Sequence, residues 1–152
     1  MKSLGEERCR RAALARGVVM SEYTHHLFVC GNQRPDGHPR GCCDPQGAEL
    51  LRAAFKKSLG THGLRASMRA NRSGCLDQCE HGPCVVVYPE GTWYGGVQLT
   101  DVDEIVQRHL QGGEIVSRLL IAVDCINNPA CPHRRNRAAA LRRWLGEQPA
   151  KT

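Results

Sequence analysis

This 152-residue chain lacks the features that would place it in a membrane or outside the cell. Its longest apolar stretch, residues 115–123, is broken by Ser117 and Arg118 and is far shorter than the roughly 20 residues needed to span a bilayer. The first twenty residues carry Glu6, Glu7 and scattered arginines where a secretory signal would have an unbroken apolar run, so the expected location is cytoplasmic. There is no Cys-x-x-Cys, the pair at a helix start by which thiol-disulfide oxidoreductases lower one thiol's pKa. Repeats and low-complexity tracts are absent too, which leaves one fold with short extensions.

Cysteine, in contrast, is abundant. Nine are far more than an ordinary intracellular protein uses, and an odd number without an export signal argues against a disulfide framework. Metal binding or redox chemistry is the better reading. Charge is distributed unevenly: residues 1–20 hold five Lys/Arg against two acids, residues 21–121 ten against eleven, and residues 122–152 six against two. The basic character belongs to the ends. The expected organisation is a basic N-terminal extension (1–20), a central domain (21–121) and a basic, helical C-terminal extension (122–152).

Within the centre, the β-prone run 23–30 leads into a Gly/Pro/Asn/Asp-rich loop, 31–47. Leu51, Phe55 and Leu59 then recur at helical spacing and predict a helix ending near Gly60 and Gly63. Leu64, Ala66, Met68 and Ala70 alternate with polar residues, the period of a strand with one buried face, and a second polar loop occupies 71–83. Residues 85–88 and 92–97 read as a hairpin about the turn 89–91. Thr100, three residues before Asp103, is the expected cap of a helix stopping at Gly112 and Gly113. The order strand, helix, strand, hairpin, helix predicts an α/β (α+β) mixed sheet flanked by helices.

Each polar loop carries a cysteine pair beside glycine: Cys30 and Cys43 in the first, Cys75 and Cys79 in the second. Four thiolates converging from flexible backbone are what an iron-sulfur cluster needs, and Gly31, Gly41, Gly74 and Gly82 allow close backbone approach. Structural zinc is the rival, although twelve residues between Cys30 and Cys43 match its tight knuckles poorly. A Rieske centre needs two histidine ligands; Cys79-Glu80-His81 and Cys131-Pro132-His133 each resemble half of one, but no companion Cys-x-x-His exists. His81 is therefore read as a loop residue.

The segments 29–35 (VCGNQRP), 38–43 (HPRGCC) and 74–83 (GCLDQCEHGP), continued through 85–89 and 101–120, resemble the thioredoxin-like 2Fe-2S ferredoxins over about residues 23–121. The resemblance implies a thioredoxin-like fold, one 2Fe-2S cluster per chain, one-electron transfer between soluble redox proteins, and commonly a homodimer. By position it implies Cys30, Cys43, Cys75 and Cys79 as the cofactor-binding metal ligands, with no catalytic residues. Cys42, beside an expected ligand, and Cys84, close behind the second pair, leave a ligand exchange open. A thiol-disulfide oxidoreductase or a zinc module on the same fold is the alternative. Cations such as Arg34 and Arg40 are expected to favour the reduced centre and to face an acidic partner.

In the tail, Arg134, Arg135, Arg137, Arg142 and Arg143 either bind nucleic acid or an acidic partner, or form the solvated face of a helix docked through Leu141, Trp144 and Leu145. The second reading is preferred, and neither nucleic acid nor a membrane is expected as a partner. Cys125, Cys131 and His133 are three potential metal ligands without a fourth.

Overall fold

The computed structural model describes residues 22–44, 49–134 and 145–146. The expected N-terminal extension and almost all of the tail helix, including Leu141 and Trp144, lie outside the described residues; Leu145 sits in a turn, exposed. The elements in order are β1 (His25–Cys30), α1 (Leu50–Thr61), β2 (Met68–Ser73), β3 (Val85–Tyr88), β4 (Thr92–Tyr94) and a second helical segment. That segment opens with a 3-10 turn (Leu99–Asp101), continues as α-helix (Val102–Glu104) and closes as a π-helix (Ile105–Gln111); the whole, 99–111, is called α2.

The four strands form one mixed sheet in the order β2-β1-β3-β4. β1 runs parallel to β2, with His25 opposite Met68 and Cys30 opposite Ser73, and antiparallel to β3, with Val29 opposite Val85. The parallel pair needs a crossover, and α1 supplies it. Leu27 and Val29 from β1, Met68 and Ala70 from β2, Val85 and Val87 from β3 and Tyr94 from β4 share one buried face. Phe55 and Leu59 of α1 and Val102, Ile105 and Val106 of α2 cover it, as helical spacing requires of an apolar stripe. Cys30, Cys84 and Trp93 belong to a separate cluster with Cys43, Ile121, Cys125 and Cys131. The period of two in β1 thus sends Leu27 and Val29 to the helices and Cys30 to a second, cysteine-rich core.

The bounds of several elements differ from the sequence reading; β4, expected over 92–97, ends at Tyr94. β2 begins four residues later than its alternating pattern, because Gly63 (φ +68°) closes α1 and residues 64–67 turn, with Ser67 N–H donating to Leu64 O at 3.0 Å. It then extends through Asn71–Ser73 into the expected loop, drawn in by pairing with the end of β1. The capping box is Gln98 with Asp101, whose carboxylate accepts the Gln98 N–H at 2.8 Å, rather than Thr100 with Asp103. Asp103 instead accepts the Ser58 hydroxyl, tying α2 to α1.

Candidate metal centre

The end of β1, the first loop and the second loop meet at one end of the sheet, and this is where the thiols gather. Cys30 is held by its N–H to Cys84 O at 3.0 Å, which fixes the last residue of β1 against the start of β3. Cys43 closes the first loop and is buried. Its thiol is in hydrogen-bonding contact with Cys30, Cys79 and Cys84. Cys75 and Cys79 lie 3.3 Å apart, sulfur to sulfur. All four sequence-predicted residues therefore belong to one chain of contacts, Cys30 to Cys43 to Cys79 to Cys75.

The titration of these thiols reflects their crowding. The hydrogen bond from Cys43 pulls Cys79 down to about 5 against burial, with help from Arg34 and Cys75. It likewise pulls Cys30 down to about 6 against burial. Cys43 is driven far above the ordinary thiol range by the same neighbours and by burial. Crowding thus lowers two of these thiols and raises the one between them. Four thiols brought together from two loops are a soft donor set that fits a thiolate-bound metal.

The two neighbouring cysteines are engaged elsewhere. Cys42 accepts the Arg34 N–H at 3.3 Å and donates to Asn32 O at 3.4 Å, folding back on its own loop. Cys84, 1% exposed, donates to Gln78 O at 3.0 Å, although it also touches Cys43.

Three features correct the sequence reading. Gly82 is where a Cβ would collide with Cys43 Sγ, at 2.6 Å, so close approach is required there; at Gly74 a Cβ would meet nothing within 4 Å. Arg40 is no partner-facing cation: 9% exposed, it pairs with Asp77 at 2.6 Å and with the buried Glu80 at 3.0 Å, locking the first loop to the second. Its hydrogen bonds outweigh burial to hold the Glu80 carboxyl below the usual range. Arg134, assigned by its sequence to a solvated basic run, also packs inward, 3.2 Å from Asp77 and 3.7 Å from Glu80 with its side chain 7% exposed. Arg34 is half-buried, with Nη2 3.7 Å from Cys75 Sγ and Nη1 donating to Gly41 O at 3.3 Å.

Sequence reasoning weighs His81 as half of a Rieske pair and reads it as a loop residue rather than a ligand. The structure places it beside Cys131, with Nε2 3.5 Å from the sulfur, on the far side of the 3-10 turn Cys79–His81. Nothing in its own segment signals this, because its neighbours come from the tail, more than forty residues on.

No family model matches the chain. A 2Fe-2S ferredoxin of Aquifex aeolicus is 46% identical over 104 residues, 68% of this chain and 93% of that protein. A 2Fe-2S ferredoxin of Clostridium pasteurianum is 42% identical over 97 residues, 64% of this chain and 95% of that one. The crystal structure of the thioredoxin-like 2Fe-2S ferredoxin from Aquifex aeolicus superposes with a TM-score of 0.61 at 46% identity, covering 66% of this chain and 98% of its own. About a third of this chain lies outside these matches. The relatives favour neither a thiol-disulfide oxidoreductase nor a zinc module as the reading of the two loops. Among the described residues, no helix is long and apolar enough to cross a membrane. With the mixed sheet, the two cysteine loops and relatives matched over nearly their whole length, the chain belongs to the thioredoxin-like 2Fe-2S ferredoxin family.

Proposed function

We propose that Cys30, Cys43, Cys75 and Cys79 hold a single 2Fe-2S cluster and that the chain carries single electrons between soluble redox proteins. The observation that carries this reading is the contact chain among those four sulfurs, which contains the 3.3 Å approach of Cys75 to Cys79. Cys42 and Cys84 have other hydrogen-bonding partners, which favours the four over either substitute. When bound, the cluster supplies a one-electron couple whose reduction adds one negative charge. The chain's own residues do the rest. Arg34 places a cation beside Cys75, the Asp77 N–H points at the same sulfur from 3.4 Å, and the Arg40 pairs keep the two loops in register. No catalytic side chain is required, because the protein's part is to hold, tune and expose the centre.

Cys75 is the exposed member of the four, so a redox partner docks over the second loop. Electron-transfer encounters are small and transient, and a modest face of mixed polarity is enough. We also propose a homodimer, formed through the sheet surface remote from the helices. There His26, Phe28 and Tyr88 make an aromatic band, with Phe28 and Tyr88 6.0 Å apart and Tyr88 45% exposed. The cytoplasm remains the proposed location.

Anaerobic purification tests the cluster. A reddish-brown protein with about two irons and two acid-labile sulfides per chain, and an EPR signal on reduction, is expected. Serine at Cys43 should abolish that signal, while serine at Cys42 or Cys84 should leave it. Colourless protein with a redox-silent zinc ion would overturn the reading.

A further inference from the structure

We propose a second metal site, a closed tetrahedral zinc centre formed by His81, Cys125, Cys131 and His133, which pins the start of the C-terminal segment to the second cysteine loop. The site shares no ligand with the proposed cluster and goes beyond electron transfer.

The four ligand atoms come from three separate pieces of chain: the 3-10 turn Cys79–His81, the 3-10 turn Val123–Cys125, and the segment running through Cys131 into the 3-10 turn Pro132–Arg134. All four lie within 4.8 Å of one another. Cys131 Sγ is 3.5 Å from His81 Nε2 and 3.4 Å from His133 Nδ1, and Cys125 Sγ is 3.8 Å from His133 Nδ1. A tetrahedral zinc ion with bonds of about 2.3 Å to sulfur and about 2.05 Å to nitrogen sets a sulfur-nitrogen edge of about 3.6 Å. The three observed distances bracket that edge. What pairwise thiol–imidazole contacts do not require is the convergence of all four ligand atoms, from three segments, on one point.

Burial and charge agree. Both cysteines are buried, at 5% and 1% exposed, in the second core, while His81 is half-buried and His133 exposed. Two thiolates and two neutral imidazoles cancel the charge of a divalent ion, so the centre is buried at little electrostatic cost.

Four protein ligands leave no open coordination position, which marks the site as structural. Its effect is to anchor. The backbone around His81 is already tight: its carbonyl accepts the Gly96 N–H at 2.8 Å, and a Cβ at Gly95 would approach it to 2.7 Å. Arg134, directly after His133, reaches Asp77 and Glu80 in the same loop. Metal and ion pairs together fasten residues 125–134 to the loop that holds Cys75 and Cys79.

The test uses the full chain, grown with added zinc and purified anaerobically with its iron. About one zinc per chain is expected beside the iron, and zinc K-edge absorption should show two sulfur and two nitrogen neighbours at the bond lengths above. Replacing Cys131→Ser or His133→Ala should lower zinc at least tenfold and leave iron and sulfide unchanged; His133 is exposed, so its variant carries the test should Cys131→Ser fold poorly. Absent zinc, a disulfide between Cys125 and Cys131, or zinc content indifferent to both substitutions would overturn the site. A zinc shell of four sulfurs in iron-free protein would instead overturn the cluster reading and this site together. Normal iron without zinc removes the site alone.

Discussion

Replacing Arg34 by Gln removes a cation from beside one of the proposed cluster ligands, and the geometry sets the size of the effect. Nη2 lies 3.7 Å from Cys75 Sγ, and the Nη1 bond to Gly41 O keeps the side chain there. Reduction adds a negative charge, so a neighbouring cation stabilises the reduced state more than the oxidised one; its removal must lower the potential. Arg34 is half-buried, which argues for an effective dielectric of about 40 to 80. A full charge at the sulfur would then feel about 1.1 to 2.2 kcal/mol across the 3.7 Å separation. For one electron that is about 50 to 95 mV. The added charge is shared among iron and several sulfurs, so this is a ceiling, and a fall of about 30 to 60 mV is expected. Arg40→Gln should move the potential less than half as far, because Asp77 and Glu80 already neutralise Arg40 at 2.6 and 3.0 Å. Arg34→Lys should retain most of the native value. Anaerobic dye-mediated titration followed optically reads all three. A rise in Arg34→Gln, or a larger shift from Arg40→Gln, would refute the assignment of Arg34 as the tuning charge.

Arg40→Gln should instead act on stability. Stripping a buried carboxylate of its partner costs about 3–5 kcal/mol; Asp77 is half-exposed and Arg134 remains 3.7 Å from Glu80, so about 2–3 kcal/mol is expected, read as a lowered denaturation midpoint and faster cluster loss. Gly82→Ala should at least halve the iron content with far-UV dichroism unchanged, since its Cβ would stand 2.6 Å from Cys43 Sγ, whereas Gly74→Ala, with nothing within 4 Å, should load normally. His109, 3% exposed, is held below the usual imidazole range by burial and accepts the Tyr94 hydroxyl at 2.8 Å. The folded protein therefore binds fewer protons at this site than the unfolded chain, and stability from it is full above the unfolded pKa of about 6.5 and erodes as pH falls below it. His109→Phe should flatten the acid side of a pH-stability profile measured by urea unfolding; an unchanged slope between about pH 6.5 and 5 would count against the buried neutral imidazole.

How much of this was legible in the sequence depended on the range of the interaction that decides each feature. Val85–Tyr88 was read with its true ends because a continuous apolar run between turn residues has one local solution, and α1 came within a residue or two for the same reason. β2 was misplaced because its start is set by the turn after Gly63 and its end by pairing with β1, more than forty residues away. The four cysteines of the loops announced themselves through spacing and glycine. Spacing alone leaves Cys42 and Cys43 open, and the fold adds that Cys42 turns back on its own loop to donate to Asn32 O. Arg40 and Arg134 read as surface charges because sequence shows a cation but hides the buried Glu80 it must neutralise. Three tail ligands could be listed from sequence; the fourth, His81, needed the fold.

The turn Cys79–His81 joins the proposed cluster site to the proposed zinc site. A 3-10 helix has three residues per turn, so consecutive side chains leave its axis about 120° apart. Cys79 accordingly faces Cys43 and Cys75, Glu80 faces Arg40 and Arg134, and His81 faces Cys131. The ion pairs occupy the middle direction, while Cys30 and Cys43 of one group and Cys125 and Cys131 of the other share one packed core. The ion pairs couple the groups mechanically, because rotating the turn to release any one contact displaces the other two. Loss of the tail anchor should therefore be felt first at Cys79, whose side chain is buried, rather than at the exposed Cys75.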